Sequence, residues 1–247
     1  RITEKVDLNW AWNHTREISP TKRVMVERYL VGPQVSTESM IIEGKCYTVG
    51  FSDRNYEFLE KYAPFIIENG GDLPSLLSKE IQENVKNVVE KAALSMGIEN
   101  GIVKGDIVVH NEKPHIIELA ARLSGGYFCT HEIPMNTGVD LVGNAIKLAI
   151  GEKVKPSDLI PKYNNFICQR YIFPKPGTIN KIHGIDKLEN FSSLKYYSLH
   201  VKEGQKIEKP TAHPSRAGMV ITTGSSRVDA SVNSKTVIES IKFTYKA

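Results

Sequence analysis

The stretch "HIIELAARLSGG", residues 115–126, decides how this chain is read. It opens as a strand does, with apolar Ile116 and Ile117. It then sets Glu118 and Arg122 among small residues and ends on Ser124, Gly125 and Gly126. An ordinary core strand does not end this way. Glycines let a backbone come close to a ligand, and their N–H groups can cradle an anion. Arginine is suited to forked contact with phosphate or carboxylate. The plainer alternative is an Arg122–Glu118 salt bridge that pins the loop.

Working outward, "GIVKGDIVVH" (101–110) reads as the preceding strand, with "NEKP" (111–114) as the turn. Counted from that turn, Asp106 and Glu118 fall at near mirror positions and share one face of a hairpin. Two opposed carboxylates repel each other unless a cation lies between them. Hard divalent ions take such ligands, and Mg²⁺ typically combines one or two carboxylates with substrate phosphates. Taken singly, the bland reading is that Glu118 ends a strand and Asp106 faces solvent. The apolar residues before Glu118 and the arginine and glycines after it favour a site.

Three strand-like runs lie upstream: "KRVMVERYLV" (22–31), "PQVSTESMII" (33–42) and "KCYTVGFSD" (45–53). The last two flank "EGK" and predict an antiparallel hairpin over 34–43 and 45–53. A helix is predicted within 70–97, where Leu77, Ile81, Val85, Val88 and Ala92 recur at helical spacing. Ser75 or Ser78 can cap it, and Gly97 stops it. A second helix covers 140–151, with Asp140 as its cap. After Gly151 the proline-containing stretch 152–165 marks a boundary. The expected division is a domain over 1–155 and a small β-rich domain over 156–247, closed by a helix over 226–241.

Composition excludes several classes. The 247 residues carry a formal charge of +4, with Lys and Arg interleaved among acids, so no nucleic-acid partner is expected. No apolar run approaches the ~18 residues of a membrane span. Cys46, Cys129 and Cys168 are odd in number and far apart, which argues against a disulfide framework or a cysteine zinc site and suits a cytoplasmic protein.

"GDIVVHNEKPHIIELAARLSGG" (105–126) resembles the metal-binding end of the ATP-grasp ligases, in the branch that includes bacterial amino-acid ligases. The resemblance implies an α+β fold: an ATP-grasp antiparallel sheet with flanking helices, then a small β-rich C-terminal domain. It implies ATP and Mg²⁺, with Mn²⁺ as a substitute. Asp106 and Glu118 would be metal ligands, and Arg122 would contact the transferred phosphate or the acyl phosphate. Ser124, Gly125, Gly126 and His131 would line the substrate site. Many members have Asn two residues after the second acid, where this chain has Ala120. "RVMVERYLVGPQVSTESM" (23–40) is similar to the family's adenine-binding hinge strand. That places Glu27 and the backbone of Leu30 at the adenine edge and Gln34 near the ribose, with Tyr29 packed into the sheet. Glu38 could turn toward the phosphates or toward water.

The implied activity is ADP-forming ligation of a small-molecule carboxylate to an amine through an acyl phosphate. Bicarbonate activation, as in carboxylases and carbamoyl-phosphate synthases, is the alternative on the same scaffold. A non-catalytic binding module is the third reading. Family members carry further ATP-binding elements upstream, so residues 1–20 would be a helix following the phosphate-covering loop, and a preceding segment or partner subunit would complete the nucleotide site. A homodimer is compatible with this. By spacing alone, Trp10 and Trp12 suggest a strand. Cys129 beside His131 does not make a nucleophile pair, and His183, His200 and His213 have no second ligand at metal spacing.

Overall fold

A computed structural model describes residues 1–246. In chain order its helices and strands are α1 (Leu8–Ile18), β1 (Gln34–Ile42), β2 (Lys45–Arg54), β3 (Gly71–Leu73), α2 (Lys79–Ser95), β4 (Gly101–His110) and β5 (Lys113–Ala120). Then come α3 (Ile133–Thr137), α4 (Leu141–Ala149), β6 (Phe166–Ile172), β7 (Gly177–His183), β8 (Leu194–Leu199), β9 (Lys206–Ile207), β10 (Gly218–Gly224), α5 (Arg227–Ser240) and β11 (Lys242–Tyr245). Alternation in 34–54 produces the expected hairpin, turning at Glu43 and Gly44 with φ of 48° and 75°. The second hairpin joins it because β4 pairs with β1 on the side away from β2.

An eight-stranded antiparallel sheet in the order β5-β4-β1-β2-β3-β6-β10-β8 results, with a three-stranded sheet β11-β7-β9 beside it. The expected boundary at 155/156 does not divide the large sheet. Short β3 pairs with β2 on one edge and β6 on the other, so the C-terminal strands continue the same surface. A buried charge cluster fastens this junction. Asp72 on β3 takes both Nη2 contacts of Arg170 at 3.0 and 2.9 Å, and Arg227 reaches Asp53 at 2.9 Å.

One face of β1 and β4 is covered by α2. Ser78 caps this helix by accepting from the Ile81 N–H, as its sequence suggests. Val85, Val89 and Ala93 are the fully buried stripe, packed on Val35, Ile41, Val103 and Ile107. Val88 and Ala92 flank it, half-buried. Each fully buried Val or Ile contributes roughly 1.5–3 kcal/mol. The opposite face carries Met40, Leu73, Ile167 and Met219, which pack on Ile133 and Leu141 of α3 and α4. The carboxylates singled out in the sequence lie on this second face, where Ser36, Glu38 and Met40 alternate inward along β1.

Two expectations are corrected. Residues 22–31 form no strand. Met25 and Val26 are 80% and 81% exposed, and no strand among the described residues pairs with them, so their β-favouring pattern has no ladder to join. Trp10 and Trp12 lie on α1, not on a strand. Asp7 caps this helix through the N–H groups of Asn9 and Trp10, and Trp10 stacks on His14 at helical spacing.

Candidate active site

The β4–β5 ladder sets Asp106 directly opposite Glu118. Simple mirror counting is one residue out, and a bulge corrects it: Ile107 faces Ile116, the next pair is Asp106 with Glu118, and Ile117 is the extra residue. Ala120 stands opposite Lys104 and supplies no oxygen. Just beyond the strand, Ser124, Gly125 and Gly126 border a cavity of about 370 Å³ that also receives Asp106, Glu118 and Arg122. The sequence pattern therefore brings six of its expected residues to one place.

Their environments differ sharply. The Asp106 carboxylate accepts from the Ser36 hydroxyl at 2.9 Å, pairs with Arg54 at 2.8 Å, and meets the Lys104 ammonium on its other oxygen. Burial works against its charge, yet Arg54, Lys104 and Ser36 together hold its pKa below the ordinary aspartate value. Glu118 and Arg122 are both 57% exposed in their side chains and approach only to 3.9 Å. The pinning salt bridge is therefore present but loose.

A carboxylate offers about four acceptor sites. Asp106 has three occupied, and Glu118 carries only the long contact to Arg122. The donor set fits one hard divalent ion taking an oxygen from each acid, with phosphate and water completing its shell. The Ser124 hydroxyl is buried in the cavity wall without a partner, a ready donor for a bound oxyanion.

Glu38 turns neither to phosphate nor to water. It is completely buried and accepts the Ser124 N–H at 2.9 Å, so it pins the start of the Ser-Gly-Gly loop. Burial pushes its pKa up to about 7 against the opposing pull of the Ser124 N–H, Lys104 and Arg122. Of the expected adenine residues, Gln34 borders a second cavity of about 230 Å³ together with Tyr29, Tyr56 and Ile66. Tyr29 is thus at a cavity and 43% exposed, not packed into the sheet. Glu27 and Leu30 border neither cavity, being in the unpaired segment before β1.

His131 also lies elsewhere. Its ring sits 4.1 Å from that of Tyr196 and its Nδ1 meets the Thr130 hydroxyl, while the Cys129 thiol points to the Ser124 carbonyl. A π-helical turn over 128–132 makes the neighbouring residue, Glu132, the one that enters the cavity. Arg54, Glu68, Tyr171, His213 and Arg216 line it too, and none was singled out by motif. Arg54 bridges Asp106 and Glu68, the latter at 2.7 Å. His213, discounted for want of a metal partner, accepts the Glu68 N–H at 3.3 Å.

This architecture is the ATP-grasp fold. Over 89% of the chain it superposes on an L-amino acid ligase from Bacillus licheniformis, with a TM-score of 0.76 and 19% identity, covering 55% of that protein. A phosphoribosylglycinamide synthetase from Anaerococcus prevotii matches the whole chain with a TM-score of 0.75 and 18% identity, covering 63% of its own length. Residues 170–246 match the sequence family described as L-amino acid ligase C-terminal domain 2. Among curated relatives, the uncharacterized protein y4rH of Sinorhizobium fredii is 26% identical over 98% of this chain and 48% of its own length. The biotin carboxylase of Pseudomonas aeruginosa is 22% identical over 88% of the chain and 47% of its own length. The chain thus spans about half the length of these two relatives. No helix among the described residues is long and apolar enough to cross a membrane.

Proposed function

We propose that the chain supplies the metal-binding and substrate-facing part of an ADP-forming ligase that joins a carboxylate to an amine through an acyl phosphate. The observation that carries this reading is the register placing Asp106 opposite Glu118 beside Arg122 and the Ser-Gly-Gly loop in one cavity. Mg²⁺ bound at the two acids would neutralise the charge that develops on phosphate during transfer from ATP. Glu118 and Asp106 would each present an oxygen. Arg122, whose guanidinium is engaged by the Leu123 carbonyl at 3.1 Å and the long Glu118 contact and is otherwise exposed, would hold the transferring phosphoryl group and then the acyl phosphate. The Ser124 hydroxyl and the loop N–H groups would orient the substrate carboxylate. Lys104 and Arg54 would keep Asp106 ionised. Gln34 would face the ribose at the second cavity. The working compartment that suits this chemistry is the cytoplasm.

Replacing Glu118 by Gln in the full-length enzyme tests it. ADP formation should fall by a factor on the order of a thousand, with the fold intact by circular dichroism. Retained ADP formation would remove Glu118 from the metal site. Similarity to biotin carboxylase favours one rival, bicarbonate in place of an organic carboxylate. ATP turnover that depends on bicarbonate and ignores amines would establish that reading instead.

A further inference from the structure

Four carboxylates and one imidazole border the cavity: Glu68, Asp106, Glu118, Glu132 and His213. All but one are committed. Asp106 has Arg54, Lys104 and Ser36, and Glu68 has Arg54. Glu118 has Arg122 and the proposed metal, and His213 uses its Nε2 to accept the Glu68 N–H. Glu132 is the exception. Among the described residues its carboxyl makes no ion pair or hydrogen bond, although it is only 2% exposed. Its place is set by the loop before it. The Glu132 N–H donates to the Tyr127 carbonyl at 3.1 Å, the Phe128 N–H to the Gly125 carbonyl at 3.3 Å, and the Cys129 thiol to the Ser124 carbonyl at 3.0 Å. The turn that carries Glu132 is therefore fastened to the Ser-Gly-Gly loop, which is proposed to orient the substrate carboxylate. Ile133, next in the chain, is fully buried against Gly50, where a Cβ would come within 2.3 Å of it.

We propose that Glu132 is the general base of the second half-reaction, the group that takes a proton from the incoming ammonium so that the amine can attack the acyl phosphate. The inference rests on the ligase reading, which makes this cavity the meeting place of acyl phosphate and amine. An ammonium has no lone pair and cannot attack. It passes one proton to the Glu132 carboxylate, and the freed nitrogen lone pair forms the C–N bond. The bond from the carbonyl carbon to the phosphate oxygen then breaks. Its electron pair and the second proton of the adduct leave with inorganic phosphate. A carboxylate so buried without a partner is unfavourable unless a cation or a proton reaches it, and an ammonium supplies both in turn. Burial, with Glu68 and Asp72 adding to it and Arg170 opposing it, raises the Glu132 pKa well above the ordinary glutamate value. Tyr171 also faces it, and burial pushes that phenol up, so the tyrosine keeps its own proton and does not compete as a base. A base whose pKa is raised toward the working pH accepts a proton from an amine more readily than an ordinary glutamate does.

The test uses the full-length enzyme with ATP, Mg²⁺ and the common amino acids, each of which carries both a carboxylate and an amine. The pair that releases ADP fastest is assayed for amide, and again with hydroxylamine in place of the amine. Hydroxylamine is unprotonated near neutral pH, so it captures an acyl phosphate as the hydroxamate without a base. Glu132→Gln keeps the shape of the side chain and removes a buried charge. It should lower kcat for amide formation by a factor on the order of a hundred or more, while hydroxamate formation stays within about twofold of the wild type. Glu132→Asp, with its carboxyl one methylene further back, should recover part of the loss. Equal losses in the two assays, or amide formation at the wild-type rate in Glu132→Gln, would overturn the proposal and leave the ligase reading standing. Bicarbonate-dependent turnover without amide or hydroxamate would overturn both. An arm with unaltered enzyme decides the matter even if a variant does not fold. There kcat at saturating amine should fall toward low pH as Glu132 takes up its proton, and hydroxamate formation should not. The same fall in both would overturn the base.

Discussion

The exposed and buried sides of the cavity use the same chemistry to opposite ends. On the exposed side Glu118 and Arg122 face each other at 3.9 Å with more than half of each side chain in water. On the buried side Arg54 holds Asp106 at 2.8 Å and Glu68 at 2.7 Å, with side-chain exposures of 10–18%. Solvent screens the first pair, so it contributes little to stability and either partner can be drawn away by a ligand. The second is desolvated, and removing one member leaves an uncompensated charge in the interior. The contrast separates groups available for chemistry from groups that hold the site's shape.

The largest expected effect tests the buried side. Arg54→Leu should destabilise the fold by about 3–5 kcal/mol, because Asp106 and Glu68 both lose their shared cation. For a chain of this size that lowers Tm by about 6 to 20 °C, read by thermal denaturation. An unchanged Tm would break the comparison. Arg122→Ala should do the reverse. Stability should move by no more than about 0.5 kcal/mol, while ADP formation by the full-length enzyme should drop by about a hundredfold or more.

A smaller, pH-dependent effect belongs to Glu38, which joins the two sides by holding the Ser124 N–H. Its folded pKa of about 7 lies above the 4.5 of an unperturbed glutamate. The folded state therefore binds the proton more tightly than the unfolded state. Stability linked to this group is fully present below pH 4.5 and is lost as pH rises through 7. The span corresponds to about 3 kcal/mol at most. Subtracting the Glu38→Gln stability curve from that of the wild type isolates the term. The wild type should lose ground between pH 5 and 8, by about 3 kcal/mol or less, and a flat difference would show that Glu38 is not desolvated.

The same contrast explains what was legible in the sequence. The exposed side is local in the chain: Glu118, Arg122 and the glycines lie on one strand and its exit loop, and buried Asp106 faces Glu118 from the same hairpin, so period-two alternation and turn counting bring them together. Even the one-residue error was absorbed by a bulge at Ile117. The buried side is assembled across the sheet. Arg54 ends β2, Glu68 precedes β3, Tyr171 lies on β6 and Arg216 precedes β10, and no spacing rule relates residues that meet only through strand order. The β3 link between the two halves was hidden for the same reason, since a three-residue strand has no pattern to detect. His131, expected at the substrate site, borders neither cavity, whereas its neighbour Glu132, in the π-helical turn over 128–132, does, and no sequence pattern marks such a turn.

Residues 22–31 read as a strand and stand open, while Val35, only a few residues further on, is fully buried. Val35→Ala should cost about 2 kcal/mol, from lost burial and the cavity left under α2. Val26→Ala, at 81% exposure, should change stability by no more than about 0.5 kcal/mol. Both are measured by denaturant unfolding of the chain described here. Repeating Val26→Ala in the full-length protein sharpens the point. There a loss comparable to that of Val35→Ala would mean that a further part of the protein lies over this segment and pairs with it. An unaltered stability would mean that Val26 stays open to solvent in the longer protein as well.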